Sequence, residues 1–177
     1  TAVVAARLPD GLALLSGSGQ ARRLAELAVH VLGEHLGRWD DGLAFLARMV
    51  VMPVAGDHAD QQAIRRCQAT LHYCAGRRDD FEDLLRQASI SGVAEDNDRV
   101  RVLATAGAAL VGQARIEEAQ ATFDAALSHA VAPTASVART LAVTGNNLSW
   151  DLEAYISRTQ EEAAMMIRAA WIALKYW

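Results

Sequence analysis

Proline is scarce in this chain, with three in 177 residues at Pro9, Pro53 and Pro133. Proline removes a backbone donor and clashes with the preceding turn, so its scarcity leaves long stretches free to be helical. Pro53 and Pro133 fall where helix pairs should end. Aromatic residues make up 6% of the chain against 52% hydrophobic residues, and alanine supplies much of the apolar share. Strand signals are nearly absent, and the balance suits closely packed helices better than a β-sandwich. No run of about 18 apolar residues is free of charge, which argues against a membrane-spanning helix. Thr1 to Leu15 lacks the charged start and unbroken apolar core of a signal peptide. Lysine occurs once, at Lys175, against sixteen arginines. That ratio fits coding bias in an arginine- and alanine-rich genome, and we expect a bacterial, cytoplasmic protein. A concentrated basic surface is missing too: the net charge is -4 and basic pairs such as Arg65-Arg66 and Arg77-Arg78 alternate with acids such as Asp79, Asp80, Glu82 and Asp83. General nucleic-acid binding is therefore not expected, and these charges read as solvated helix faces with local ion pairs. The two cysteines, Cys67 and Cys74, are seven residues apart on one expected helix. They are separated by about 10 Å along its axis, beyond disulfide reach, and read as buried reduced thiols.

Chemistry-bearing patterns are thin. His30-Val31-Leu32-Gly33-Glu34-His35 superficially resembles a zinc-binding helix, yet such sites need two histidines four residues apart on one face. These are five apart, with no third ligand nearby in sequence, so ordinary helix-surface residues and no metal are expected. Ser16-Gly17-Ser18-Gly19-Gln20 lacks the Gly-Lys-Ser/Thr ending of a phosphate loop. Glu161 and Glu162 are adjacent, so on a helix they point about 100° apart and cannot work together as acid and base. His58, His72 and His129 stand apart from any recognisable Ser, Cys or Asp arrangement. No enzyme, cofactor or metal is expected.

What is present is a helical pattern. Between Arg99 and Pro133, Val100, Leu103, Ala104, Gly107, Leu110 and Val111 recur at the spacing that places them on one helical face. Gly112 to Arg115 break it. Ile116, Ala119, Phe123, Ala126 and Leu127 then form a second stripe, with Glu117 and Glu118 in the first turn, where the helix dipole favours negative charge. Gly107 and Ala119 are small where large residues would fit the stripe, which lets two helix axes approach closely.

This segment resembles a tetratricopeptide repeat. The spaced signature of that family is a small residue in the first helix, Ala twelve residues on, an aromatic four beyond and Ala three beyond. Gly107, Ala119, Phe123 and Ala126 meet it, while Leu103 and Leu110 take the aromatic positions of the first helix. One such repeat cannot bury its face alone, so at least three copies are expected. Others are found around Gly37-Arg38-Trp39-Asp40-Asp41-Gly42, with Leu46 where Phe123 falls, and from His58 to Ala88, with Gly76 as the turn and Phe81 late. The last runs from Thr134 to Trp177, its first helix ending near Tyr155 and its second opening on the capping box Thr159-Gln160-Glu161-Glu162. Turns at Gly37, Gly76 and Ala114 are close to forty residues apart. The resemblance implies an all-α fold, a right-handed superhelix of about four stacked antiparallel helix pairs over residues 18–177. Residues 1–17 stay unassigned, since Leu8-Pro9-Asp10-Gly11 reads as a turn and Ser16-Gly17-Ser18-Gly19 as a flexible joint.

In solenoids of paired helices the first helices line the concave side, and there tetratricopeptide proteins hold a peptide or partner helix. The resemblance implies groove positions at Leu27, Val31, Glu34 and His35 in the first pair and Arg66, Thr70 and Tyr73 in the second. It implies Arg101, Thr105 and Ala108 in the third and Arg139, Ala142 and Asn146 in the last. Ala104 and Ala108 replace residues with which chaperone-tail-binding members clamp a carboxylate, so that role is not expected. At the C-terminus, Ala163, Met166, Ile167, Ala170, Trp171, Leu174 and Trp177 make a broad apolar face with no polar closing side. Trp171, Leu174 and Trp177 are expected to be covered by a further helix or by a second copy in a homodimer. The expected function is a non-enzymatic scaffold that binds an unknown protein or peptide. The competing readings are a regulatory domain that senses a small ligand, and an enzyme whose site converges from distant residues.

Overall fold

The computed structural model describes residues 1–17, 19–52, 58–88 and 92–177. Pro53, expected at the end of a pair, and Ser18, the expected first residue of the repeat domain, lie outside the described residues. Among the described residues the chain is all-helical, with nine α-helices, one π-helical segment and no strand. The helices are α1 (Ala2–Ala13), α2 (Gln20–Ala28), running on into the π-helical Val29–His35, α3 (Trp39–Val50), α4 (His58–Cys74), α5 (Arg78–Ala88), α6 (Gly92–Gly112), α7 (Ile116–His129), α8 (Ala135–Glu153) and α9 (Gln160–Tyr176). They fall into two units, Thr1–Ser91 and Gly92–Trp177.

The first unit begins with a correction. Leu8-Pro9-Asp10-Gly11 is not a turn but lies inside α1, with Pro9 in mid-helix. Losing the Pro9 N–H costs about 3 kcal/mol or more. Leu8 and Leu12 are 3% and 6% exposed, and Ala5 and Leu15 pack beside them. Burying two leucines at about 1.5–3 kcal/mol each offsets the proline, and spacing of three and four residues demands a helix to do so. Gly11 serves that packing, since a β-carbon there would sit 3.1 Å from Leu24 Cδ1. Elsewhere in this unit the isobutyl group of Leu71 on α4 is seated between two glycines. A β-carbon at Gly33 would lie 2.9 Å from Leu71 Cδ2, and one at Gly42 would lie 2.7 Å from Leu71 Cδ1.

Three interhelix turns repeat one device. Gly37, Gly76 and Ala114 all take left-handed backbone, with φ of 61°, 78° and 56°. At Gly76 the N–H donates to the Tyr73 carbonyl at 3.0 Å and the Arg77 N–H to the His72 carbonyl at 2.9 Å. At Ala114 the same two bonds run to Val111 at 2.8 Å and Leu110 at 2.9 Å. This pairing satisfies carbonyls that the helix end would otherwise orphan. Each left-handed residue is followed by an arginine and, two and three residues later, by acids that open the next helix: Arg38 with Asp40 and Asp41, Arg77 with Asp79 and Asp80, Arg115 with Glu117 and Glu118. Arg38 Nε reaches Asp41 at 2.6 Å and Arg115 Nε reaches Glu118 at 2.8 Å.

In the second unit α6 packs on α7 and α8 on α9, while α6 also meets α8 and α7 meets α9. Both stripes read from the sequence close the first pair: Val100, Leu103, Ala104, Leu110, Val111, Ala119, Phe123 and Ala126 are all buried. A β-carbon at Gly107 would lie 2.6 Å from Phe123 Cδ2. In the second pair the close approach is to backbone, since a β-carbon at Gly145 would lie 2.7 Å from the Ala169 carbonyl oxygen and 3.0 Å from the Ala173 nitrogen. The capping box at the start of α9 is formed, Thr159 Oγ1 accepting from the Glu162 N–H at 3.1 Å and Glu162 Oε2 from the Thr159 N–H at 2.7 Å.

Candidate functional site

Helix α9 carries two apolar stripes. Met165, Ala169, Ile172 and Ala173 recur at helical spacing and are buried against the rest of the unit. The stripe beside them faces out: Ile167 is 54% exposed, Trp171 65%, Leu174 69% and Trp177 72%. On α8, Trp150 is likewise 66% exposed. Between these helices runs an open groove of about 550 Å³ lined by Trp150, Met166, Ile167, Ala170, Trp171 and Leu174, with Ser149 and Glu153 at its polar edge. The predicted interface residues Trp171, Leu174 and Trp177 therefore lie on one outward face. The sequence reading missed α8's share of it, although Trp150 near the end of an amphipathic helix was a visible signal.

Charge around the groove is largely committed. Arg168 pairs with Asp124 of α7, and Lys175 Nζ lies 5.0 Å from the centre of the Tyr176 ring. Arg158 donates to the carbonyls of Leu152, Glu153 and Tyr155, closing the C-terminal end of α8 with a cation where the helix dipole favours one. Glu153 is the one charged residue lining the groove.

The residues expected to line a concave groove are scattered in environment. In the first unit Leu27 and His35 are exposed, Glu34 and Arg66 are half-buried, and Val31 is in the core at 4% exposure. Thr70, offered as a binding residue, is 2% exposed and its hydroxyl donates to the Arg66 carbonyl at 3.0 Å, so it serves its own helix. Tyr73 is half-buried, its ring 5.1 Å from that of Phe81, with the Arg78 guanidinium 3.4 Å above it. In the second unit Arg139 is exposed and Asn146 half-buried, whereas Ala142 is wholly buried. Arg101 donates to Ser136 Oγ at 2.7 Å and Thr105 to the Arg101 carbonyl at 3.0 Å, so both make contacts within their own unit.

The structure brings together one set that sequence spacing had separated. His30 and His35, five residues apart, meet with Nε2 atoms 3.0 Å apart and ring centres 4.4 Å apart. Glu34 Oε2 lies 2.9 Å from the other His30 ring nitrogen, Nδ1. Five residues separate side chains on an α-helix, but Val29–His35 is π-helical, where i and i+5 are neighbours. Val29, Val31, Leu32 and Gly33 of this segment are buried, while His30 and His35 are exposed. Among the described residues this is the one cluster of three or more His, Cys, Asp or Glu side chains with metal-ligating spacing.

Cys67 and Cys74 are both buried free thiols. Burial pushes the Cys67 thiol up to about 12, so it stays protonated and unreactive at neutral pH. His72 is shifted down by burial, against the pull of Asp80. Among the described residues no helix is long and apolar enough to cross a membrane. No protein-family model, no curated protein and no solved structure matches the chain.

Proposed function

We propose that this chain is a tetratricopeptide-like interaction module, built of stacked helix pairs, that binds an amphipathic helix of a partner protein on the outward face of α8 and α9. The observation that carries the reading is the open apolar groove in which two tryptophans, Trp150 and Trp171, are about two-thirds exposed. Large apolar surfaces of this kind on a folded domain mark interaction sites, and tryptophan is the residue most often dominant in them. A groove between two helices accepts the ridge of a third, so a helix presenting apolar side chains every three or four residues is the matching shape. Glu153 at its edge favours a basic polar face on that helix. A small-molecule sensor would need an enclosed cavity, and this groove is open. The pairing of α6 with α8 and of α7 with α9, together with close-approach glycines in both first helices, supports the repeat architecture. Its extension through all four pairs as a right-handed superhelix, and the concave surface it would create, belong to the same proposal.

The test is a titration with an 18-residue Leu–Lys amphipathic helix, followed by tryptophan emission, with a Leu–Glu helix of identical apolar stripe as the charge control. Saturable blue-shifted emission with the Leu–Lys peptide, at least tenfold tighter than with the Leu–Glu peptide, supports the reading. Equal response to both peptides contradicts it, as does sedimentation of the free protein as a stable dimer through this face.

A further inference from the structure

Helix α2 does not stop where an α-helix would present its next turn. It widens into the π-helical Val29–His35, and a single π turn inside a helix recurs at functional sites because it re-aims side chains that α-geometry keeps apart. What it re-aims here are two imidazoles. We propose that His30 and His35 chelate one divalent transition-metal ion of tetragonal preference, Cu²⁺ or Ni²⁺, through their Nε2 atoms, with Glu34 as the positioning residue for His30.

Three observations converge. The first is the nitrogen separation of 3.0 Å. With metal–nitrogen bonds of about 2.0–2.1 Å, two nitrogens that far apart subtend roughly 91–97° at the ion. That is the angle between adjacent positions of a square or octahedral ion. A tetrahedral ion such as structural zinc spreads the same two atoms to about 3.4 Å. Imidazole pairs at right angles with oxygen completing the shell suit Cu²⁺ and Ni²⁺, and Cu²⁺ binds nitrogen most tightly in the divalent series.

The second is the carboxylate behind the first ring. Glu34 Oε2 is 2.9 Å from His30 Nδ1; a carboxylate oxygen accepts, so this contact holds the ring by its Nδ1–H and leaves Nε2 as the nitrogen that faces His35. Metal-bound histidines ordinarily make this bond from the non-ligating nitrogen to a carboxylate, which fixes the tautomer and strengthens the donor. With each ring carrying its proton on Nδ1, both Nε2 lone pairs are free for the ion.

The third is accessibility. His30 and His35 are exposed and Glu34 half-buried, while the neighbouring Val29, Val31, Leu32 and Gly33 hold the turn from the core side. The chelate is thus open to solvent on a buried footing, with water for the remaining positions.

The experiment is calorimetric titration of the whole chain with Ni²⁺, paired with electron paramagnetic resonance of the Cu²⁺ form. One ion per chain is expected, bound at least 100-fold more weakly by H30A/H35A and tighter than Zn²⁺, with two imidazole nitrogens coupled to Cu²⁺. E34A should weaken binding about 10- to 100-fold and E34Q should recover part of that loss, because an amide oxygen still accepts from Nδ1–H. All three positions lie at least partly on the surface, so the variants should keep the wild-type circular dichroism. Ni²⁺ affinity unchanged in H30A/H35A, or Zn²⁺ bound more tightly than Ni²⁺, would overturn the proposal.

Discussion

The α6–α7 and α8–α9 pairs bring two helices together through one glycine each, yet the two contacts differ in what the glycine meets. Gly107 faces the Phe123 ring, and Gly145 faces the backbone of Ala169 and Ala173. Their outer surfaces differ as well. Helix α7 turns Glu117, Glu118, Ala121, Ser128 and His129 to solvent, while α9 turns out Ile167, Trp171, Leu174 and Trp177. Both inner faces are what any tightly packed pair requires. Only the outer face of the second pair is costly to leave in water, and it therefore carries the functional reading.

The contrast in the glycines gives the largest expected effect. Gly145→Ala should destabilise by about 3 kcal/mol, the upper end of overpacking penalties, because backbone atoms cannot rotate aside. Gaining a better helix former returns only about 1 kcal/mol. Chemical denaturation measures the difference, and a loss below about 1 kcal/mol would mean that the two backbones are not in contact.

The next largest effect concerns binding. Trp150→Ser with Trp171→Ser should weaken the Leu–Lys helix by about 2 kcal/mol or more, as for dominant interface residues. Its unfolding free energy should stay within about 0.5 kcal/mol of wild type, since both rings already stand in water. A large fall in stability would instead assign the tryptophans to the fold.

Gly107→Ala should cost about 1–2 kcal/mol, less than Gly145→Ala, because the wholly buried Phe123 ring must move aside but is a side chain rather than backbone. If thermal melts rank it below Gly145→Ala in stability, the contrast between the two pairs is reversed. The smallest effect tests the turns. Ala114 holds with a methyl group the left-handed backbone that Gly37 and Gly76 hold without one. Relief of the left-handed strain, about 1–2 kcal/mol, outweighs the added unfolded-state freedom of glycine, about 0.4–1 kcal/mol. Ala114→Gly should accordingly raise the melting temperature by a few degrees, and a drop would contradict the turn geometry.

Much of the second unit was legible in the sequence because local and tertiary preferences agree there. The stripes of α6 and α7, the acidic first turn at Glu117 and Glu118 and the capping box at Thr159 each depend on neighbours within a few residues. Three features were hidden because tertiary packing overrides a local rule. Pro9 and Gly11 read as turn residues until Leu8 and Leu12 find a core. Five-residue spacing separates His30 from His35 unless the helix widens to π geometry, as it does over Val29–His35. The outward stripe of α9 is visible as periodicity in the sequence, but periodicity alone does not say which of two adjacent stripes turns inward, and Met165, Ala169, Ile172 and Ala173 do so. Among the expected groove residues Thr70 could not be sorted from its exposed neighbours, since a threonine that bonds its own helix and one that meets a ligand look alike in sequence.

The outward face of α8 and α9 is most directly tested by nuclear magnetic resonance of the four indole N–H groups during addition of the Leu–Lys helix. The chain holds four tryptophans, of which Trp39 lies in the first unit. The signals of Trp150 and Trp171 should move together and saturate, that of Trp177 should move less, and that of Trp39 should stay in place. Movement of Trp39 equal to theirs, or no movement of Trp150 and Trp171 at saturating peptide, would contradict the account.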